Sequence, residues 1–166
     1  TGIDPKEGIT VWIALSEASR ESGCMQMIPK SHHSGIVEHR DCFGEDNILT
    51  RGQTIEGIKE EEAMDVTLKP GQMSLHHVRN IHSSSPNYSD DLRIGLALQS
   101  FIPTSLRQTL GEDYALLMRG KDPDQHFLRA RRPQSAYDPE GAKFRETVNQ
   151  RFSEILYHGS MKKRAY

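Results

Sequence analysis

Cysteine is scarce in this chain, with two in 166 residues, Cys24 and Cys42. They form no CxxC pair, so neither a zinc ribbon nor a disulfide framework is on offer. Two lone thiols fit a reducing compartment, and a cytoplasmic location is expected. Net charge is scarce too: 21 basic against 23 acidic residues leave a formal charge of −2. That balance lacks the clustered basic surface a nucleic acid partner would need. The one basic run, Lys162-Lys163-Arg164, reads as a solvated tail. No apolar run is long enough to cross a bilayer, and no signal-peptide pattern is present. No membrane partner is expected. No internal repeat or low-complexity segment is visible, and no feature speaks to oligomeric state.

What remains is globular. Hydrophobic residues make up 35% and charged residues 27% of the chain, which suits one domain with a real core. A single domain over 1–166 is expected, with its core at 8–102 and a helical extension at 103–160. The chain starts at Thr1 and enters a strand almost at once, so it reads as the C-terminal fragment of a longer protein. Eight histidines, several of them clustered, are the first hint of metal chemistry.

Residues 9–15, Ile-Thr-Val-Trp-Ile-Ala-Leu, predict a central strand that is apolar on both faces. Residues 24–28 alternate up to Pro29 and predict a second strand, paired with the first as a hairpin with a wide loop. Residues 30–63 are polar and charged, with strand-like pieces at 36–38 and 54–58. A stretch this long is either a lid or a set of insertions. Strands are predicted at 64–68, ending at the turn Lys69-Pro70-Gly71, at 73–77 and at 93–102. Asp138-Pro139 is a helix start. Phe144, Val148, Phe152 and Ile155 then fall at helical spacing, as expected for a helix packed on the sheet, and Gly159 ends the run. The pattern predicts a mainly β fold, a sandwich or jelly roll with a C-terminal helix.

The informative stretch runs from Ser74 to Asn87 and holds His76, His77 and His82, three histidines within seven residues. Imidazole is the commonest neutral ligand for first-row divalent metals. Half-buried polar histidines satisfied by their neighbours are the alternative. Eleven residues after His82, Arg93 opens an otherwise apolar strand. Its planar fork suits a carboxylate. The alternative is a surface salt bridge to Asp90 or Asp91.

These residues resemble a known family. His82-Ser83-Ser84-Ser85-Pro86-Asn87 followed by Arg93 is similar to the distal iron-histidine and 2-oxoglutarate-arginine segment of phytanoyl-CoA dioxygenase-like oxygenases. Val11 to Leu15, Ser22-Gly23-Cys24-Met25 and Ile28-Pro29-Lys30-Ser31-His32 resemble the family's central block, in the same order. Lys69 to Met73 resembles the turn that leads into the distal histidine strand. The likeness covers roughly residues 8–102, and 103–132 resemble some bacterial members more loosely.

The resemblance implies a double-stranded β-helix, cupin-like and here partial, with Fe(II) in its mouth and 2-oxoglutarate as cosubstrate. It implies His82 as iron ligand, Arg93 as clamp for the distal carboxylate of 2-oxoglutarate, Ser84 as its hydrogen-bond partner, and Trp12 as a wall of the cosubstrate pocket. Trp12 also reads as a core aromatic. His77 matches a family histidine near the metal, while His76 reads as facing outward. His32 fits a structural role. No further catalytic side chain is expected, since metal and cosubstrate carry the chemistry.

The family's other two iron ligands form a His-x-Asp that precedes the Trp12 strand. Residues 1–11 hold no histidine, so that pair is expected upstream. His39-Arg40-Asp41 spells His-x-Asp but lies where the family places no ligand. It reads as a substrate-contact loop or a solvated one. The implied activity is a dioxygenase that hydroxylates an unactivated C–H bond of a small organic or acyl substrate, using dioxygen. A 2-oxoglutarate-dependent halogenase and a non-catalytic cupin-like carboxylate binder share the same residues. Selectivity is expected in 33–63 and 103–132.

Overall fold

In a computed structural model, residues 2–42 and 53–160 are described. Their strands are β1 (Ile3–Asp4), β2 (Ile9–Ala14), β3 (Met25–Met27), β4 (Arg40–Asp41), β5 (Gln53–Thr54), β6 (Met64–Val66), β7 (Met73–His77), β8 (His82–Ser84), β9 (Gly95–Phe101), β10 (Arg107–Gln108), β11 (Tyr114–Ala115) and β12 (Leu128–Arg129), and one helix follows, α1 (Pro139–Leu156). The fold is mainly β with a C-terminal helix, as predicted.

The chain divides into two compact units. One comprises Lys6–Cys42 and Gln53–Ile102; the described part of the other is residues 2–5 and 103–160. The first unit holds two three-stranded antiparallel sheets, ordered β7-β2-β9 and β6-β3-β8. Their facing sides meet in a core of Trp12, Ala14, Ala18, Cys24 and Met25, with Met27, Val66 and Leu68 packed against it. β2 is central, as its two-sided apolar sequence predicts.

The expected β2–β3 hairpin does not form. The two strands lie in different sheets and meet face to face, so each buries its apolar side chains against the other rather than pairing edges. The chain crosses between the sheets through a turn at Ser19–Gly23, where the buried Ser22 hydroxyl accepts from the Ser19 amide at 2.9 Å. Gly23 stands at φ +73, and a Cβ there would lie 2.4 Å from the Ser85 carbonyl oxygen. The turn therefore packs directly on the segment that leaves β8.

Other boundaries shift as well. Residues 36–38 form no strand, and of the expected 54–58 only Thr54 is extended in β5, which pairs with β4. The loop between them, where the lid reading falls, lies partly outside the described residues, and the basic run at 162–164 lies wholly outside them. The turn Lys69-Pro70-Gly71 does follow β6 and lead into β7, with Gly71 at φ +84.

The outward side of β7-β2-β9 is apolar and open. Leu75 is 65% exposed, Met73 55% and Leu96 45%.

In the second unit β1 pairs with β10 and β11 runs parallel to β12. Helix α1 begins as its sequence predicts, with Asp138 as N-cap accepting from the Glu140 amide at 3.1 Å. Its apolar stripe does not bury evenly: Ile155 is inside, while Phe152 is half exposed. Phe144 meets Tyr114 of the β11–β12 pair edge-on, with ring centroids 5.0 Å apart. The partner is thus a short two-stranded element of its own unit.

Candidate active site

Side chains directly opposite one another in an antiparallel pair share a face. Trp12 pairs with Ser74 on one side and Ala97 on the other, and Thr10 pairs with His76. Trp12 is in the core, so Ser74, His76 and Ala97 face inward with it. In the second sheet, Met25 pairs with Ser84 and Met27 with His82. Both methionines pack on the core, so Ser84 and His82 also stand on the inward side, at an exposed edge strand.

Arg93 comes just before β9, on the side of Gly95 and Ala97. Its guanidinium carbon lies 5.6 Å from the centroid of the Trp12 ring, a cation–π distance. The indole reaches this position because residue 95 is glycine: a Cβ there would lie 2.0 Å from Trp12 Cζ2. Arg93 is half-buried. The expected alternative, a salt bridge to Asp90 or Asp91, is not made. The Asp91 carbonyl instead accepts from Asn87 at 2.7 Å and from the Ser89 hydroxyl at 3.2 Å.

The backbone on both sides of Arg93 is held by one side chain. Ser16 Oγ donates to the Leu92 carbonyl at 2.8 Å and accepts from the Ile94 amide at 2.7 Å. The Leu15 and Ser16 amides both donate to the Ile94 carbonyl, at 2.9 and 3.1 Å. Sequence reading passed over Ser16 as turn material.

His82 Nδ1 lies 2.8 Å from the Asn80 carbonyl oxygen. A carbonyl only accepts, so Nδ1 carries the proton and Nε2 keeps its lone pair. The His76 ring is close by, with centroids 5.5 Å apart. Burial, and then the neighbouring His82, hold the His76 imidazole below the usual histidine range.

The two adjacent histidines face the opposite way from the one expected of them. His77 pairs with Ile9 and turns outward. Its Nδ1 accepts from the Arg79 amide at 3.1 Å and its Nε2 donates to Glu7 at 2.8 Å. Both ring nitrogens are occupied, so His77 has no lone pair for a metal. His76 is the inward one, because alternation along β7 places it on the Trp12 side. His32 stacks near His33 and His77, with centroids 4.0 and 5.2 Å away, in keeping with a structural role.

His39 is exposed, and its Nδ1 lies 2.7 Å from the Val37 carbonyl. Asp41 accepts from Gln53 at 2.9 Å across the β4–β5 pair. Among the described residues no group of three His, Cys, Asp or Glu side chains is placed to hold a metal.

The family model described as phytanoyl-CoA dioxygenase (PhyH) matches residues 3–95, more than half of the chain. The chain belongs to the PhyH family. Among curated relatives, the "Probable alpha-ketoglutarate-dependent hypophosphite dioxygenase" of Stutzerimonas stutzeri is 31% identical over 119 residues, covering 68% of this chain and 42% of that protein. The phytanoyl-CoA dioxygenase of Arabidopsis thaliana is 30% identical over 95 residues, covering 57% and 33%. Among solved structures, the apo form of ThoJ, a non-heme monooxygenase, superposes with a TM-score of 0.81 at 32% identity, over 97% of this chain and 58% of that one. Its nickel complex gives 0.74 at 30% identity, over 95% and 55%. This PhyH-family chain therefore spans about two fifths of the first curated relative and somewhat over half of ThoJ. The PhyH match ends at residue 95, so it includes β2, β3, β8 and Arg93 and leaves out most of β9 and all of α1.

Proposed function

We propose that this chain is part of an Fe(II)- and 2-oxoglutarate-dependent dioxygenase domain and carries its distal iron ligand and its cosubstrate clamp. In this reading His82 binds iron through Nε2, Arg93 holds the distal carboxylate of 2-oxoglutarate, Ser84 hydrogen-bonds that carboxylate, and Trp12 walls the pocket. The reaction is hydroxylation of an unactivated C–H bond in a small organic or acyl substrate, with dioxygen as co-substrate. Two free cysteines and the absence, among the described residues, of any helix long and apolar enough to cross a membrane accord with a cytoplasmic setting.

One observation carries the proposal. Arg93 is a half-buried cation with no carboxylate partner among the described residues, laid on Trp12, on the inward side shared by Ser84 and His82. An unpaired guanidinium in such a place is costly unless a ligand neutralises it, and its fork matches a carboxylate. The donor chemistry of His82 suits iron, because Nδ1 is tied and Nε2 has no hydrogen-bond partner among the described residues. The described residues do not complete an iron site, so no step is derived through the metal. When bound, iron would activate dioxygen, the oxidant, with 2-oxoglutarate supplying two of the electrons that reduce it. This chain's own part is to orient the cosubstrate carboxylate, present one imidazole and keep water from the Trp12 face.

Trp12 is the sole tryptophan, and it touches the proposed clamp. Titration of 2-oxoglutarate into the chain should therefore change its fluorescence. Arg93→Ala should weaken that titration by roughly thirtyfold or more, since removing one partner of a desolvated charge pair costs about 2–5 kcal/mol. Equal titration midpoints for parent and variant would remove Arg93 from the cosubstrate site.

A further inference from the structure

We infer that Ser31 is a positioning residue for His82, selecting the imidazole tautomer that leaves Nε2 free. The significance for metal binding rests on the reading of His82 as an iron ligand; the positioning itself does not.

Ser31 lies in the turn after Pro29, is 6% exposed, and is far from His82 in sequence. Its hydroxyl oxygen accepts from the Ile81 amide at 2.8 Å and donates to Asn80 Oδ1 at 3.2 Å. The Ile28 amide donates to the Ile81 carbonyl at 3.0 Å. The first of these bonds holds the peptide between residues 80 and 81, whose carbonyl is the one that His82 Nδ1 reaches at 2.8 Å, and the other two hold the Asn80 side chain and the next peptide on either side of it. The direction of that carbonyl decides which ring nitrogen keeps the proton. Loss of the hydroxyl would leave the half-buried Ile81 amide without its protein partner, and the corner would have to reorganise.

His39 provides an internal control. Its Nδ1 makes the same local contact, to the carbonyl two residues back. No side-chain hydroxyl braces the peptide of that carbonyl among the described residues. The contact is local in both histidines, and the brace is particular to His82. A carbonyl or carboxylate that fixes the far nitrogen of a ligand histidine is a recurrent device at metal centres. Here the device is extended by one further link, from Ser31 through the 80–81 peptide to the ring.

The test uses the whole chain, labelled with ¹⁵N, and long-range proton–nitrogen correlation of the imidazole nitrogens at a pH where histidines are neutral. The parent should show His82 with its proton on Nδ1. In Ser31→Ala the preference for that tautomer should fall by at least about fivefold, the size of a lost hydrogen bond, with His39 unchanged in the same spectrum. Ser31→Thr keeps the hydroxyl and should restore the parent ratio. An unchanged His82 ratio in Ser31→Ala overturns the proposal, as does an equal change at His39. If Ser31→Ala does not fold, Asn80→Ala carries the test. It removes only the acceptor of the Ser31 hydroxyl and should shift the ratio the same way by less; no shift overturns the proposal. Ni(II) alone, titrated against the same samples, separates the two readings. Broadening of His82 that needs more Ni(II) in Ser31→Ala supports both. A parent His82 that Ni(II) never broadens defeats the ligand reading and leaves the tautomer ratio to decide the role of Ser31.

Discussion

Arg93 leads into a strand paired with β2, which contributes Trp12 and Ala14 to the core, whereas His82 stands on a three-residue edge strand that is exposed at every position. The two ends of one inward face are thus built by different means. The arginine end is held by packing: an indole seated on Gly95 carries the guanidinium, and Ser16 ties the backbone on either side. The histidine end has no such platform. It relies on a hydrogen-bonded corner at residues 77–82 pinned from a turn about fifty positions earlier. The proposed clamp for a flexible dicarboxylate would benefit from a broad rigid wall. The proposed metal ligand would need only its ring angle and its tautomer set, and a few directional bonds do that.

Trp12→Ala should test this separation most severely. Removing a buried aromatic costs about 3–5 kcal/mol, which urea denaturation would measure. In protein that stays folded, amide exchange should rise around Arg93 and Gly95 and stay near parent values at Asn80 and Ile81. Equal loosening at both ends would mean that they are one structure, not two.

Ser16→Ala should sharpen the comparison with a smaller effect. It leaves the Ile94 amide and the Leu92 carbonyl without their side-chain partner, at a cost of about 1–3 kcal/mol. The loss should appear as faster exchange at Ile94 and a weaker 2-oxoglutarate titration, with the His82 tautomer untouched. A shift in that tautomer would contradict the separation.

The smallest effect concerns the sheet of the histidine end. Asp65 on β6 accepts from Gln26 on β3 at 2.9 Å and pairs with Arg20. The Gln26 hydrogen bond, and then Arg20, hold the Asp65 carboxyl below the usual aspartate range. A depressed folded pKa contributes stability that is complete above the unfolded-state value and is lost as pH falls through the folded one. Melting temperature should therefore decline across the acidic carboxylate range, and Asp65→Asn should flatten that decline slightly. A variant profile that runs parallel to the parent's would show that this pair contributes nothing.

The local half of the architecture was legible in the sequence. The two-sided apolar run at 9–15 marks a central strand, Lys69-Pro70-Gly71 marks a turn, and Asp138-Pro139 marks a helix start. Each depends on residues within a few positions of one another. Sheet partnership was not legible, because apolar strands such as 9–15 and 24–28 can satisfy their pattern edge to edge or face to face. The choice between His76 and His77 failed for a related reason. Alternation along β7 shows that they face opposite ways, but only the register with Trp12 says which way is in. Ser16 and Ser31 left no signal. Their partners lie 78 and 50 positions away, and a serine in a polar turn looks the same whether or not its hydroxyl is spoken for.

Strand β9 carries one more consequence. All seven of its residues are exposed, it has no charged residue or proline, and among the described residues it pairs only with β2. Its far edge presents a row of unclaimed backbone donors and acceptors, the usual template for annealing another extended segment. Whatever anneals there is brought into line with the strand that begins beside Arg93. The border of the sheet and the proposed cosubstrate clamp are in that sense the same place.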